Sequence, residues 1–225
     1  MTRDKTGNTL RTIAIVGMGL TATMNIVGGI GTVCAAFLTK DFPPMWSLLE
    51  YQWLYQVLMI VTILLGLGGV WVTVRLIRGG PGTYRWALLT LVAGTIVAGI
   101  QVYASFVLRG KTVPANIKLY TNLFTLIYFL VLRIPSLFDR VRFDEPRDTA
   151  AQTPSAGLAA IVSGSVVLTT ILWVGPSHTF QGNNWVSLLD GTLVFAGLTL
   201  ILGGFGLLTR NIWDPVLRRR LSALR

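Results

Sequence analysis

Residues 51–77 read YQWLYQVLMIVTILLGLGGVWVTVRLI, a run in which Arg75, near its end, is the only charge. A helix of this length is about 40 Å long at 1.5 Å per residue. That exceeds the roughly 30 Å of hydrocarbon in a bilayer. Lipid offers no water to the backbone amides, so a spanning segment must satisfy them internally, and a helix does so. The alternating pattern of a barrel strand is missing. The stretch therefore assigns the chain to the all-α membrane class.

Five further apolar segments flank it. The expected helices are about 12–38, 51–77, 84–108, 117–138, 156–175 and 187–209, a bundle of six transmembrane helices forming one domain over residues 1–225. The fourth carries Arg133 and Pro135 near its end, and the fifth is short and rich in small residues. The run from Thr12 to Leu38 is far longer than the 7–15 residues of a signal-peptide core, so it reads as a retained helix. Residues 139–155, DRVRFDEPRDTAAQTPS, read as a solvated cytoplasmic linker before the fifth helix. Composition agrees with membrane burial: 52% of the residues are hydrophobic, 12% are charged and the mean hydropathy is +0.64, whereas a soluble domain carries about a quarter charged residues.

The net charge of +10 would point to nucleic acid in a soluble protein. Here the basic residues lie between apolar blocks. Fifteen of the nineteen fall on the side that holds both termini, against Lys40, Arg109, Lys111 and Lys118 on the other. By the positive-inside rule both termini are expected in the cytoplasm, with the chain a multi-pass protein of the cell membrane, and nucleic acid is not expected as a partner. Residues 214–225 form a basic tail. Asp214 and Pro215 suit a helix start, and Arg218, Arg219, Arg220 and Arg225 alternate with Val216, Leu217, Leu221 and Leu224. The tail reads as a short amphipathic helix on an anionic leaflet, or as a solvated tail obeying the same charge rule.

Two connections resemble each other. Phe42 to Trp53 reads FPPMWSLLEYQW, and Phe180 to Gly191 reads FQGNNWVSLLDG. Each is followed by a helix with a glycine patch (Gly66, Gly68, Gly69; Gly203, Gly204, Gly206) that ends at an arginine, Arg75 or Arg210. A parallel tandem repeat of two hairpins and two independent ways of starting a membrane helix both stay open.

Most enzyme chemistry is excluded. Cys34 and His178 are the only residues of their kinds, which rules out an internal disulfide, bis-histidine haem and a multi-histidine metal site. No P-loop or G-x-S-x-G elbow occurs, and no motif assigns a catalytic residue or a cofactor. Ser177, His178 and Asp190 are too close in the chain for a credible triad. No acid or lysine is expected at mid-depth, which argues against a proton pump, a carrier with a buried acid, a voltage sensor and a retinal Schiff base.

Neutral polar residues remain. Asn25, Gln56, Gln101, Tyr103, Asn122 and His178 are the candidate ligand-binding positions, most of them in the outer half of the membrane. The plain alternative for the amides is hydrogen bonding between helices. The leading functional expectation is a non-catalytic accessory or scaffolding subunit packed against other membrane proteins. The others are a small-solute binding or transport protein with an outward-facing polar pocket, and an enzyme acting on lipid or quinone with His178 as base.

Overall fold

The computed structural model describes residues 5–223, without the side chains of Pro44, Phe180 and residues 211–223. The elements are α1 (Lys5–Gly31), α2 (Val33–Phe37), α3 (Gln52–Arg78), α4 (Thr83–Arg109), α5 (Ala115–Val131), α6 (Pro135–Val141), α7 (Thr149–Leu168), α8 (Thr170–Val174) and α9 (Asp190–Ala223), with a small hairpin of β1 (Thr179–Phe180) and β2 (Asn183–Asn184) between α8 and α9. Five spans are long and apolar enough to cross a membrane, and a sixth results if α5 and α6 count as one. The chain is an all-α membrane bundle.

The fourth expected helix, 117–138, is not one straight span. α5 stops at Val131, and α6 leaves it at 99°. Pro135 is the cause: it has no N–H to donate, and its ring drives the preceding residue out of the helical region. Ile134 accordingly sits at φ −55°, ψ 125°. The 139–155 segment keeps most of its charges exposed but is docked at points along its length. Val141 and Phe143 are buried, at 3% and 1% exposure, and α7 begins at Thr149, before the expected start of the fifth helix. At the C-terminus the backbone runs as one helix from Asp190 to Ala223. No new helix start appears at Asp214–Pro215 in the backbone. The side chains of Arg218, Arg219 and Arg220, and all of Arg225, lie outside the described residues.

Arg11 holds one end of the bundle together. It is 2% exposed, not a headgroup-facing charge. Its Nε donates to Leu76 O (3.1 Å), Nη1 to Arg142 O (2.6 Å) and Glu145 O (3.2 Å), and Nη2 to Phe143 O (3.2 Å). The planar five-donor guanidinium thereby ties α1 to the end of α3 and to the segment after α6. Gly79, at φ +83°, packs against the Glu145 carbonyl, where a Cβ would collide. The Thr83 amide donates to Asp144 Oδ1 at 3.0 Å. Above this clasp Tyr84, Phe129 and Phe143 stack.

The two hairpins that resemble each other in sequence also pack alike. α1 lies on α3, and α7 on α9. In the first hairpin a Cβ on Gly29 would meet Ile63 Cγ1 at 2.6 Å, and one on Gly66 would meet Ile26 Cγ1 at 2.6 Å. In the second, Gly164 faces Ile201 Cγ1 at 2.8 Å and Gly204 faces Ile161 Cγ1 at 2.7 Å. Each glycine thus receives an isoleucine from the opposite helix, twice per hairpin, and the bare backbone permits the close approach. The matching segments are Ile26-Val-Gly-Gly29 with Ile161-Val-Ser-Gly164, and Ile63-Leu-Leu-Gly-Leu-Gly68 with Ile201-Leu-Gly-Gly-Phe-Gly206. The outward stripes match as well. Val57, Ile60, Leu64 and Leu67 of α3 correspond to Phe195, Leu198, Leu202 and Phe205 of α9, all exposed apolar residues of the kind lipid covers.

Both first helices break at a threonine and resume as a five-residue helix, after Thr32 and after Thr169. Each threonine hydroxyl bonds back to the carbonyl four residues earlier, Thr32 to Gly28 O at 2.7 Å and Thr169 to Ser165 O at 2.9 Å. Such back-bonding bends helices. Short 3₁₀ turns then lead into α3 and α9, so the order of elements repeats too.

Candidate functional site: a cavity with a cationic pole

The two breaks lie at the end of the bundle opposite the Arg11 clasp, and there the hairpins part around a cavity of about 320 Å³. Met24, Val27, Leu38 and Val33 line it from the first hairpin, and Trp173, Val186, Leu189 and Leu193 from the second. Phe42 and Trp185, one from each inter-helix connection, meet edge to face across this end at 4.9 Å.

The polar pole comes from α4 and α5. On α5, Lys118, Asn122, Thr125 and Phe129 recur at helical spacing along one buried face. Lys118 is 3% exposed and lines the cavity. Gly28 makes room for its stem: a Cβ there would lie 3.2 Å from Lys118 Cδ. The ammonium donates to Thr62 Oγ1 at 3.2 Å and, in a shorter bond, to Gln101 Oε1. Gln101 Nε2 donates to Thr32 Oγ1 at 3.0 Å. Nearby, the Tyr55 and Ser105 hydroxyls are 3.0 Å apart.

Both oxygens that accept from Lys118 are neutral. Among the described residues, no Asp or Glu lines the cavity. Arg109 lines the same cavity, and its buried Nε has no partner. The pole is therefore made of two cations and several neutral groups.

The sequence-derived candidates separate on this geometry. Gln101 and His178 line the cavity. His178 Nδ1 lies 3.0 Å from Ser177 Oγ and 3.2 Å from Val174 O. Asn25 and Asn122 face each other one turn deeper and bond mutually. The Asn122 carboxamide fits because Gly94 of α4 has no Cβ to collide with it. Gln56 Nε2 donates to Ala36 O at 3.2 Å, bracing α3 against α2. Tyr103 is 70% exposed on α4 and points away from the cavity.

Lys118 is the residue that sequence reasoning missed. Counting it among the outer loop charges left it off the candidate residues, whereas the structure buries it among the helices near the start of α5. The available signal was the spacing: Lys118 stands one turn before Asn122 and in line with Thr125, a polar stripe on an otherwise apolar helix.

The second hairpin supplies an internal comparison. It makes the same glycine–isoleucine interlock, yet Ala160 stands where Asn25 does and Leu200 where Thr62 does. Packing of this hairpin type thus does not require polar side chains at those places. No family model, no curated protein and no solved structure matches the chain.

Proposed function

We propose that this chain is a membrane-embedded binding protein for a small amphiphilic molecule, held in the cavity between the two hairpins on the outer side of the membrane. The observation that carries the reading is the cavity itself, of about 320 Å³ with apolar walls and polar groups converging at one pole. Small-molecule sites have this size and make-up. The internal comparison supports it, because Thr62 and Asn25 of the first hairpin, which bond to Lys118 and Asn122, have the apolar counterparts Leu200 and Ala160 in the second. This favours the binding or transport expectation over the scaffold. The exposed stripes on α3 and α9 are accounted for by lipid and call for no partner subunit. The bonds His178 makes, through Nδ1 to Ser177 and the Val174 carbonyl, lie within its own loop and do not favour the enzyme expectation.

The charge distribution supports an orientation with both termini in the cytoplasm, and in that orientation the cavity opens to the outside. Mass spectrometry of small molecules released by organic solvent from the purified full chain tests the reading. One apolar or amphiphilic compound at near one per chain is expected. A random sample of the membrane lipids, matching the bulk extract, would contradict it.

A further inference from the structure

The reading above leaves the ligand's head open, and the pole of the cavity narrows it. Lys118 is 3% exposed and its ammonium meets only neutral oxygens, those of Thr62 and Gln101. A primary ammonium has three N–H donors, so one remains beyond these two bonds. A charge removed from water without an opposite charge is costly within a membrane. Buried intramembrane cations accordingly pair with acids or mark a ligand. Among the described residues, no acid lines this cavity. On the same wall Arg109 has a buried Nε without a partner.

We infer that the ligand is an amphiphile with an anionic head, and that the Lys118 ammonium receives that head while the apolar walls take the tail. Arg109 adds a second positive charge at the same pole. The inference rests on the binding function proposed above. The shared chemistry is an anionic oxygen group on one apolar chain, and its sources are a free long-chain carboxylate or a long-chain phosphate ester.

The test is a titration of the full chain in zwitterionic nanodiscs, read by tryptophan fluorescence, since Trp173 and Trp185 line the cavity. The probes are hexadecanoate, hexadecyl phosphate and the neutral hexadecanol. A charge-assisted bond is worth enough to favour at least one anion over the alcohol by about tenfold or more. In Lys118→Gln, which keeps a neutral hydrogen-bonding group on a shorter stem, that preference should fall severalfold, to what Arg109 alone supplies, while hexadecanol binds as before. Retained hexadecanol binding also shows that the variant folds. Lys118→Arg should restore part of the preference. Whichever anion binds more tightly identifies the source.

Equal binding of alcohol and anions by the wild-type chain would overturn the inference and leave the binding function standing. A preference undiminished in Lys118→Gln would overturn it as well. Binding of none of the three probes would overturn both together.

Discussion

Asn25 and Asn122 join α1 to α5 through a reciprocal pair of amide bonds, Nδ2 of Asn122 to Oδ1 of Asn25 at 3.0 Å and Nδ2 of Asn25 to Oδ1 of Asn122 at 3.3 Å. Asn122 Nδ2 also donates to Lys118 O at 2.9 Å. Each amide satisfies the other, so the pair is a clamp below the cavity and not a ligand contact. Asn122→Leu should therefore act on stability. It leaves the buried Asn25 amide unpaired, at a cost of about 1–3 kcal/mol. Thermal unfolding of the detergent-solubilised chain should shift down, and Asn25→Ala added to Asn122→Leu should recover part of the loss. A double variant that loses the sum of the two single losses would mean the amides do not act as a pair.

The glycine–isoleucine interlock separates glycines that look alike in sequence. Gly66 and Gly204 stand against Ile26 and Ile161, whereas Gly68 and Gly206 have open space at the Cβ position. Gly66→Leu and Gly204→Leu should each force their hairpin apart and strongly reduce the yield of folded protein. Gly68→Ala and Gly206→Ala should be neutral or slightly stabilising, because glycine is about 1 kcal/mol less favourable than alanine in a helix. Fluorescence-detected gel filtration of the four variants gives the comparison, and no difference between the first pair and the second would refute the interlock.

At the other end, Arg11 supplies four hydrogen bonds to carbonyls of α3 and of the 142–145 segment. Lysine has neither the planar fork nor enough donors to repeat this. Arg11→Lys should destabilise the fold by about 2 kcal/mol or more, as expected when buried acceptors lose charged donors. Amide hydrogen exchange should rise across 142–148 in particular. Unchanged exchange there would show that the segment is held by other contacts.

The class of fold was legible in the sequence because length and hydropathy decide it: a segment such as 51–77 has no other soluble or barrel solution. Of the Gly-rich patches, Gly66, Gly69 and Gly204 lie where helices meet, while Gly68, Gly203 and Gly206 face open space. What escaped was tertiary. Lys118 lies near the end of an apolar run, where a lysine ordinarily extends to the headgroups, and only the space left by Gly28 and the acceptors Thr62 and Gln101 fold it inward. Arg11 escaped for the same reason, since its carbonyl partners lie more than 60 residues away in the chain. Of the candidate residues, those that face a distant helix (Asn25, Gln101, Asn122) came together, while Tyr103 did not, because the helical position that decides its face is not visible without the neighbours.

The cavity can be blocked at one position without disturbing the helices. Gly31 closes α1, lines the cavity and has no atom within 4 Å of an added Cβ. Gly31→Phe should fold like the wild type and lose ligand binding by about tenfold or more, the scale of a buried aromatic's worth of contacts. Wild-type affinity in a folded Gly31→Phe chain would place the ligand elsewhere.

Photoaffinity labelling tests the central claim most directly. A hexadecyl chain bearing a diazirine is offered to the full chain in nanodiscs, and the labelled peptides are mapped. Labelling concentrated on the peptides that carry Gly31, Trp173 and Val186, and suppressed by excess unlabelled hexadecanoate, is the predicted result. Labelling confined to the outward stripes at Val57–Leu67 and Phe195–Phe205 and indifferent to competitor would contradict the account, because those faces see bulk lipid.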